Sequence, residues 1–219
     1  MRANERRTRN VERVHDAIAP LIRDRSVLHL GCAAHDAAKI KGDEPWLHEL
    51  LDETAATCLG VDVLDEEVNR MRAAGYDAAC ADVQDMHLDD GFETIVAGEL
   101  IEHLVDFDGF LRSIERHLAD GGCLVLTTPN AMAVHWTGLR LLDVPFVNDE
   151  HTCWFDRTML RQLLDRYGFA LTRTGYVGDC SFRPLADPLF TLGWLVDATL
   201  PDRIGKSTLI AVARDSPTE

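Results

Sequence analysis

Lysine is scarce in this chain: three residues among 219, against 19 arginines, 24 aspartates and 13 glutamates, for a net charge of −15. A surface this short of cations repels phosphate backbones at long range, which disfavours general nucleic-acid binding. The aspartate-rich, lysine-poor balance suits a high-salt cytoplasm, where strongly hydrated carboxylates keep a protein soluble. A GC-rich genome, favouring arginine over lysine, accounts for only the cationic half of that bias. Cys-x-x-Cys pairs are absent too. Cys32, Cys58, Cys80, Cys123, Cys153 and Cys180 stand apart, four of them in or beside apolar runs. That spacing argues against a zinc cluster and points to buried thiols in a reducing compartment. No apolar run approaches the ~18 residues of a membrane span, and the opening MRANERRTRN lacks the apolar core of a secretory signal. The expectation is a soluble, cytoplasmic protein with an acidic surface of the kind that suits high salt.

Glycine is missing where a phosphate loop would need it. VLHLGCAAH (27–35) brings apolar Val27, Leu28 and Leu30 up to Gly31, yet Ala33 and His35 stand where a Gly-x-Gly-x-Gly loop would continue. Around this stretch, apolar runs alternate with amphipathic ones. Helices are predicted over 11–23 (Val14, Ile18 and Leu21 or Ile22 on one face), 45–56, 65–74 and 107–119. The last is expected to stop at Asp120-Gly121-Gly122. Strands are predicted at 26–30, 58–63, 76–81, 93–98 and 123–128. The alternation implies a parallel sheet covered on both faces, with right-handed crossovers, so a doubly wound, Rossmann-like α/β fold. Asp156 or Thr158 then caps a helix running through Tyr167 and ended by Gly168. Two β-rich runs follow, 170–177 and 207–214, separated by an insertion at about 178–205. They pair only if the insertion loops back, adding an antiparallel strand. The economical reading is one domain over 1–219.

Ligands of open α/β sheets bind beyond the carboxyl ends of the strands. Here those ends carry Gly31, Asp62, Asp82 and Gly98-Glu99. One aspartate after a strand is more often a helix cap; a glycine followed by carboxylates at successive strand ends is harder to dismiss. A carboxylate ending the second strand can accept both ribose hydroxyls of a nucleoside, and one after the third can accept from an adenine amine. With no Walker loop and no second glycine, the site favours a nucleoside without phosphates over NAD or ATP.

VLHLGCAAH, GVDV, CADVQDM, FETIVAGELIEHL and HLADGGCLVLTTPN together resemble, in order over about 25–175, the class I S-adenosylmethionine-dependent methyltransferases. The resemblance implies seven strands, mostly parallel with the last one antiparallel. By motif position it places Gly31 at the cofactor's amino-acid part, Asp62 at the ribose and Asp82 at the adenine amine; Cys32, Val63 and Val83 join them as cofactor-binding candidates, and Glu99, at the end of the fourth strand, can reach a hydroxyl of cofactor or substrate. The cofactor is a sulfonium without phosphates, so small Ala33 and Ala34 can replace the later glycines. His29, where an acidic residue is usual, and His35, where glycine is usual, mark an altered loop.

Methyl transfer to an alcohol needs alignment and a route for the acceptor's proton. The catalytic candidates are His151, His103 and Glu99, with His103 equally readable as a packed helix-start residue. Glu-x-x-Glu-His at Glu99, Glu102 and His103, with His151 later, resembles the metal site of small-RNA 2′-O-methyltransferases and, in part, quinone-pathway O-methyltransferases. Those four residues could hold a divalent cation, but Glu-His-Leu is common in members that need none, and the metal-free mechanism is preferred. TTPNA and NDEHTCWFDRTMLRQLLDRYGF look most like methyltransferases found with glycan assembly. The expected acceptor is a small-molecule or glycan hydroxyl. A non-catalytic, cofactor-binding partner subunit is the alternative of a different class. The apolar stretch 184–204 suits lid packing, a homodimer contact or a membrane-surface contact.

Overall fold

The computed structural model describes residues 13–33, 46–134, 136, 143, 148–178 and 200–216. Most of the 178–205 insertion, together with His35 and Cys180, lies outside them. Helix α1 (13–22) opens the described chain and buries Val14, Ile18 and Ile22, the face its period predicted. β1 (Ser26–Leu30), α2 (Leu47–Thr54), β2 (Thr57–Asp62), α3 (Asp65–Ala74), β3 (Ala78–Cys80) and β4 (Phe92–Gly98) follow. After a 3₁₀ turn at Ile101–His103 come α4 (Phe107–His117), β5 (Leu118–Pro129), α5 (Arg157–Asp165), β6 (Phe169–Val177), a short turn of helix at Asp202–Gly205 and β7 (Thr208–Asp215).

The seven strands form one sheet in the order β3-β2-β1-β4-β5-β7-β6. β1 pairs parallel with β2 and β4, β2 with β3, and β4 with β5. β7 runs antiparallel to both β5 and β6, so the insertion does loop back. The order reverses at β1, whose neighbours β2 and β4 lead away in opposite directions. The chain after β1 and the chain after β4 therefore lead to opposite sides of the sheet, and such a switch point is where open α/β sheets form their ligand crevice.

Local chemistry fixes the helices around that crevice. In α4, Phe110, Leu111 and Ile114 share a buried stripe, each side chain contributing roughly 2–3 kcal/mol by leaving water. Asp106 caps its start by accepting from Gly109 N–H, and Asp156 caps α5 by accepting from Thr158 and Met159 N–H. One side of the sheet packs Leu28, Leu30, Ile95 and Leu124 against α4 and α5. The other packs Val27, Val96 and Val125 against α1 and Leu51 of α2.

Four expectations need correction. The fourth helix ends at His117, not 119, and β5 starts at Leu118, not 123. Leu118 pairs with Phe92 and, after a register shift, Cys123 pairs with Thr94. Gly121 at φ +74° takes up the irregularity, and a Cβ on Gly122 would come within 2.9 Å of the Glu93 carbonyl. β3 is half the predicted length, so Asp82 lies two residues past its end. Cys32, Cys58 and Cys123 are buried as expected, but Cys80, on the edge strand, is exposed. Among the described residues no helix is long and apolar enough to cross a membrane.

Candidate functional site

Gly31 leaves β1 at φ +69°, and a Cβ there would stand 3.1 Å from Leu100 Cδ1. The loops after β1 and β4 thus touch, and the first must stay small and left-handed. Its backbone is pinned to β2: Gly31 and Cys32 N–H both donate to the Val61 carbonyl, at 2.9 and 3.2 Å. Asp62 completes the brace, Oδ2 accepting from Ala33 N–H at 2.9 Å and Oδ1 from Leu64 N–H at 3.1 Å. A carboxylate has about four acceptor positions, so two remain beyond these bonds. Val63, next to Asp62, is a large apolar side chain left 58% exposed.

The loop after β3 carries exposed Asp82 and buried Val83. Asp82 Oδ1 accepts from Gln84 N–H at 2.9 Å. Gln84 Oε1 in turn accepts from Asp106 N–H at 2.9 Å, which ties this loop to the segment after β4. The sequence reading missed Gln84, because its bond reaches 22 residues along the chain.

His29 does not face the crevice opening. It is buried against α2, with its Nδ1 3.2 Å from His48 Nδ1 and the rings stacked 5.4 Å apart. Cys32 is buried beside it, and its thiol is raised well above its ordinary range, first by burial and then by the Asp62 charge. Cys32 is therefore a neutral packing group.

Beyond β4, Glu99 holds a left-handed conformation (φ +49°), rare for a side chain without special cause. Thr127 on β5 supplies the cause: Glu99 N–H donates to the Thr127 carbonyl at 3.0 Å and to its hydroxyl at 3.1 Å. The side chain is open to solvent, yet its carboxyl is pushed up to about 7 by burial, offset by the Thr127 hydroxyl. Glu102 is 1% exposed and neither carboxylate oxygen has a hydrogen-bond partner. Burial, then the Glu99 charge, pushes its carboxyl up to about 8, and nearby Thr128 counters this only in part.

His151 comes to the same place through a backbone clamp. Thr152 donates from N–H (2.8 Å) and hydroxyl (3.0 Å) to the Glu102 carbonyl, and its hydroxyl lies 2.6 Å from the Leu104 carbonyl. The Asn130–Phe155 bridge holds the other side of the segment. The His103 and His151 rings meet edge to face at 4.7 Å. Burial first, then His103, lowers the His151 imidazole, and Glu150 partly restores it. A neutral imidazole and raised carboxyls suit proton exchange near neutral pH. Ligand atoms of Glu102, His103 and His151 lie within 4.8 Å of one another; Glu99, the fourth metal candidate, falls outside that group.

A seven-stranded sheet with β7 reversed, a small loop after β1 and an acidic end to β2 defines an S-adenosylmethionine-dependent methyltransferase. The chain belongs to the methyltransferase-domain family, whose profile matches residues 2–174. Solved structures share the fold at low identity. One is a complex of the Haloferax volcanii Trm112 methyltransferase activator with a protein described as a methyltransferase, at 16% identity, TM-score 0.65, covering 96% of this chain and 91% of that one. Another is magnesium protoporphyrin IX methyltransferase from Synechocystis with bound SAH, at 16% identity, TM-score 0.58, covering 96% and 84%. A Mesorhizobium loti S-adenosylmethionine-dependent methyltransferase matches at 21% identity, TM-score 0.58, covering 92% and 96%. No curated protein matches the sequence. The residues present fit the cofactor: a tight loop at Gly31 without a phosphate-binding glycine run, and spare acceptor positions on Asp62.

Proposed function

We propose that this methyltransferase transfers the methyl group to a hydroxyl of a small molecule or glycan. The observation that carries this reading is the cluster of Glu99, Glu102, His103 and His151 at the carboxyl end of β4. Methylating an alcohol requires removal of a proton, whereas an amine can attack without that step. S-adenosylmethionine supplies an electrophilic methyl carbon on a positively charged sulfur. Asp62 holds the ribose hydroxyls, Asp82 and Val83 the adenine edge, and the backbone at Gly31 and Cys32 the amino-acid end. The acceptor oxygen lies in line with the methyl carbon and the sulfur. As the new carbon–oxygen bond forms, the carbon–sulfur bond breaks and its electron pair returns to sulfur. In the cation-free protein, the hydroxyl proton passes to the neutral His151 imidazole, with Glu99 and His103 beside it. Trp154 stands beside this group, edge to face with Trp136 at 5.3 Å and with His151 at 6.3 Å.

Incubating the protein with S-adenosylmethionine and a panel of free sugars, glycans and hydroxylated small molecules should yield methyl ethers by mass spectrometry. Products methylated only on nitrogen or carbon would overturn the assignment. Cofactor binding without turnover on any acceptor would support a non-catalytic partner subunit instead. The acidic composition adds an expectation about salt: the thermal midpoint should rise markedly from low to molar KCl as cations screen carboxylate repulsion. A flat midpoint would leave genome composition as the source of the bias.

A further inference from the structure

We propose that the acceptor is a vicinal amino alcohol, a molecule whose reacting hydroxyl has a protonated amine on the neighbouring carbon, and that Glu102 binds that ammonium. Glu102 is 1% exposed, and neither of its carboxylate oxygens has a hydrogen-bond partner. The Thr128 hydroxyl, close enough to act on that carboxyl, is also buried and unpartnered. Polar groups left unpaired away from water are costly, so the arrangement is complete only with a donor between them. An ammonium carries three donors and a full positive charge. It can serve the carboxylate and the hydroxyl together.

Charge decides between an ammonium and a neutral donor. Among the described residues, the arginine ion pairs engage Glu66, Glu67 and Asp108, and no lysine or arginine pairs with Glu99, Glu102 or Glu150. Burial and the Glu99 charge therefore act on the Glu102 carboxyl with no cation to offset them. A neutral diol would supply hydrogen bonds but leave that buried charge without a counter-charge, which is strongly unfavourable. An ammonium supplies both. On the outer side, Asp149 and Glu150 are exposed, and Glu150 Oε2 lies 4.0 Å from His103 Nδ1. Carboxylates placed there attract cations and repel anionic acceptors.

The place of the base sets where the amine stands. His151 Nδ1 is buried and unpartnered, so it is free to accept from the reacting hydroxyl. A ring nitrogen of His151 and a carboxylate oxygen of Glu102 lie within 4.8 Å of each other, and the Thr152 bonds hold the two segments in that register. An ammonium about 2.8 Å from the carboxylate and a hydroxyl about 2.8 Å from the imidazole then belong on adjacent carbons. Among hydroxyl-bearing small molecules and glycans, this selects amino sugars and aminocyclitols over plain sugars. The inference rests on the proposed O-methylation, but recognition of the amine can be read from binding alone.

The full chain, loaded with SAH near neutral pH, is titrated by ligand-observed NMR with glucosamine and trans-2-aminocyclohexanol. Each is paired with a neutral twin, glucose and trans-cyclohexane-1,2-diol. The cofactor's own ammonium is present in every arm, so a difference between twins reports the acceptor's amine. At least one amine is expected to bind about 10-fold or more tightly than its twin. Glu102→Gln, which keeps the shape and removes the charge, should cut that preference to less than about 3-fold. Glu150→Gln, on the exposed rim, should leave it within about 2-fold of wild type. Unaltered SAH affinity in Glu102→Gln serves as the folding control. Amines that fail to bind, twins that bind alike, or a preference that survives in folded Glu102→Gln each overturn the inference. With S-adenosylmethionine in place of SAH, methylation of a bound amine probe on nitrogen would overturn the O-methylation reading and leave the Glu102 ammonium site standing.

Discussion

Acidifying the protein from pH 6.5 to pH 4 should remove about 3 kcal/mol of folding stability through the buried His48 alone, and more through His29. The two Nδ1 atoms face each other at 3.2 Å, so one ring donates and the other accepts, both neutral. Neither Nε2 has a partner. Among the described residues, the groups in contact with the two rings are uncharged. Cys58 Sγ lies 3.9 Å from His48 Nδ1, and burial pushes its thiol up to about 12. Tyr76 and Trp46 present rings to His48. Burial lowers His48 to about 4, and burial followed by the His48 charge lowers His29 well below its ordinary value. The folded values lie below the unfolded ones, so between them the unfolded chain binds more protons. Stability is then full above pH 6.5 and falls as the pH drops toward 4.

Glu99 and Glu102 act in the opposite sense. Their folded values, about 7 and about 8, exceed the unfolded value of 4.5, so their contribution is full below pH 4.5 and is lost as pH rises through 7 to 8. The histidine effect is therefore best read as a difference. Denaturant unfolding between pH 4 and 7 should show a much steeper acid loss for wild type than for a His29→Leu/His48→Leu double variant. Parallel slopes would show that these imidazoles do not govern acid stability.

Asp62→Ala should weaken S-adenosylmethionine binding about 10- to 100-fold, or about 1–3 kcal/mol, the usual effect of losing hydrogen bonds to a charged group. The loss has two sources. On the proposed reading Asp62 offers its remaining acceptor positions to the ribose; it also accepts from Ala33 N–H and Leu64 N–H, so its removal loosens the loop after β1. Asp62→Asn keeps a single acceptor oxygen and should fall between wild type and Ala. NAD should bind none of these proteins measurably. Calorimetric affinities equal to wild type in Asp62→Ala would remove Asp62 from the cofactor site.

Most of the fold could be read from residue order. Helix α3 occupies 65–74 as predicted, because its acidic first turn and terminal Gly75 mark both ends. The reversed strand was expected from two β-rich runs flanking an insertion. What escaped the reading depends on contacts distant in sequence. The early start of β5 follows from pairing of Leu118 with Phe92, which overrides the glycine stop. His29 reads as a departure from a cofactor motif, and only the fold reveals His48 beside it. The candidate site divides the same way. Asp62, Glu99, Glu102, His103 and His151 carry recognisable chemistry, so the sequence could nominate them. Gln84, Thr127 and Thr152 are ordinary polar residues, whose importance comes from bonds spanning 22, 28 and 50 residues.

The Asn130–Phe155 bridge, together with the Ala131 N–H bond to the Phe155 carbonyl at 3.2 Å, makes the intervening chain an excursion that leaves and rejoins the sheet at one point. Closing such an excursion costs little more when it is lengthened: each doubling adds only about 0.6 kcal/mol. Lengthening the chain between these two points therefore adds little cost to forming the sheet, while the Thr152 bonds to the Glu102 and Leu104 carbonyls keep His151 beside His103 whatever the length of that chain.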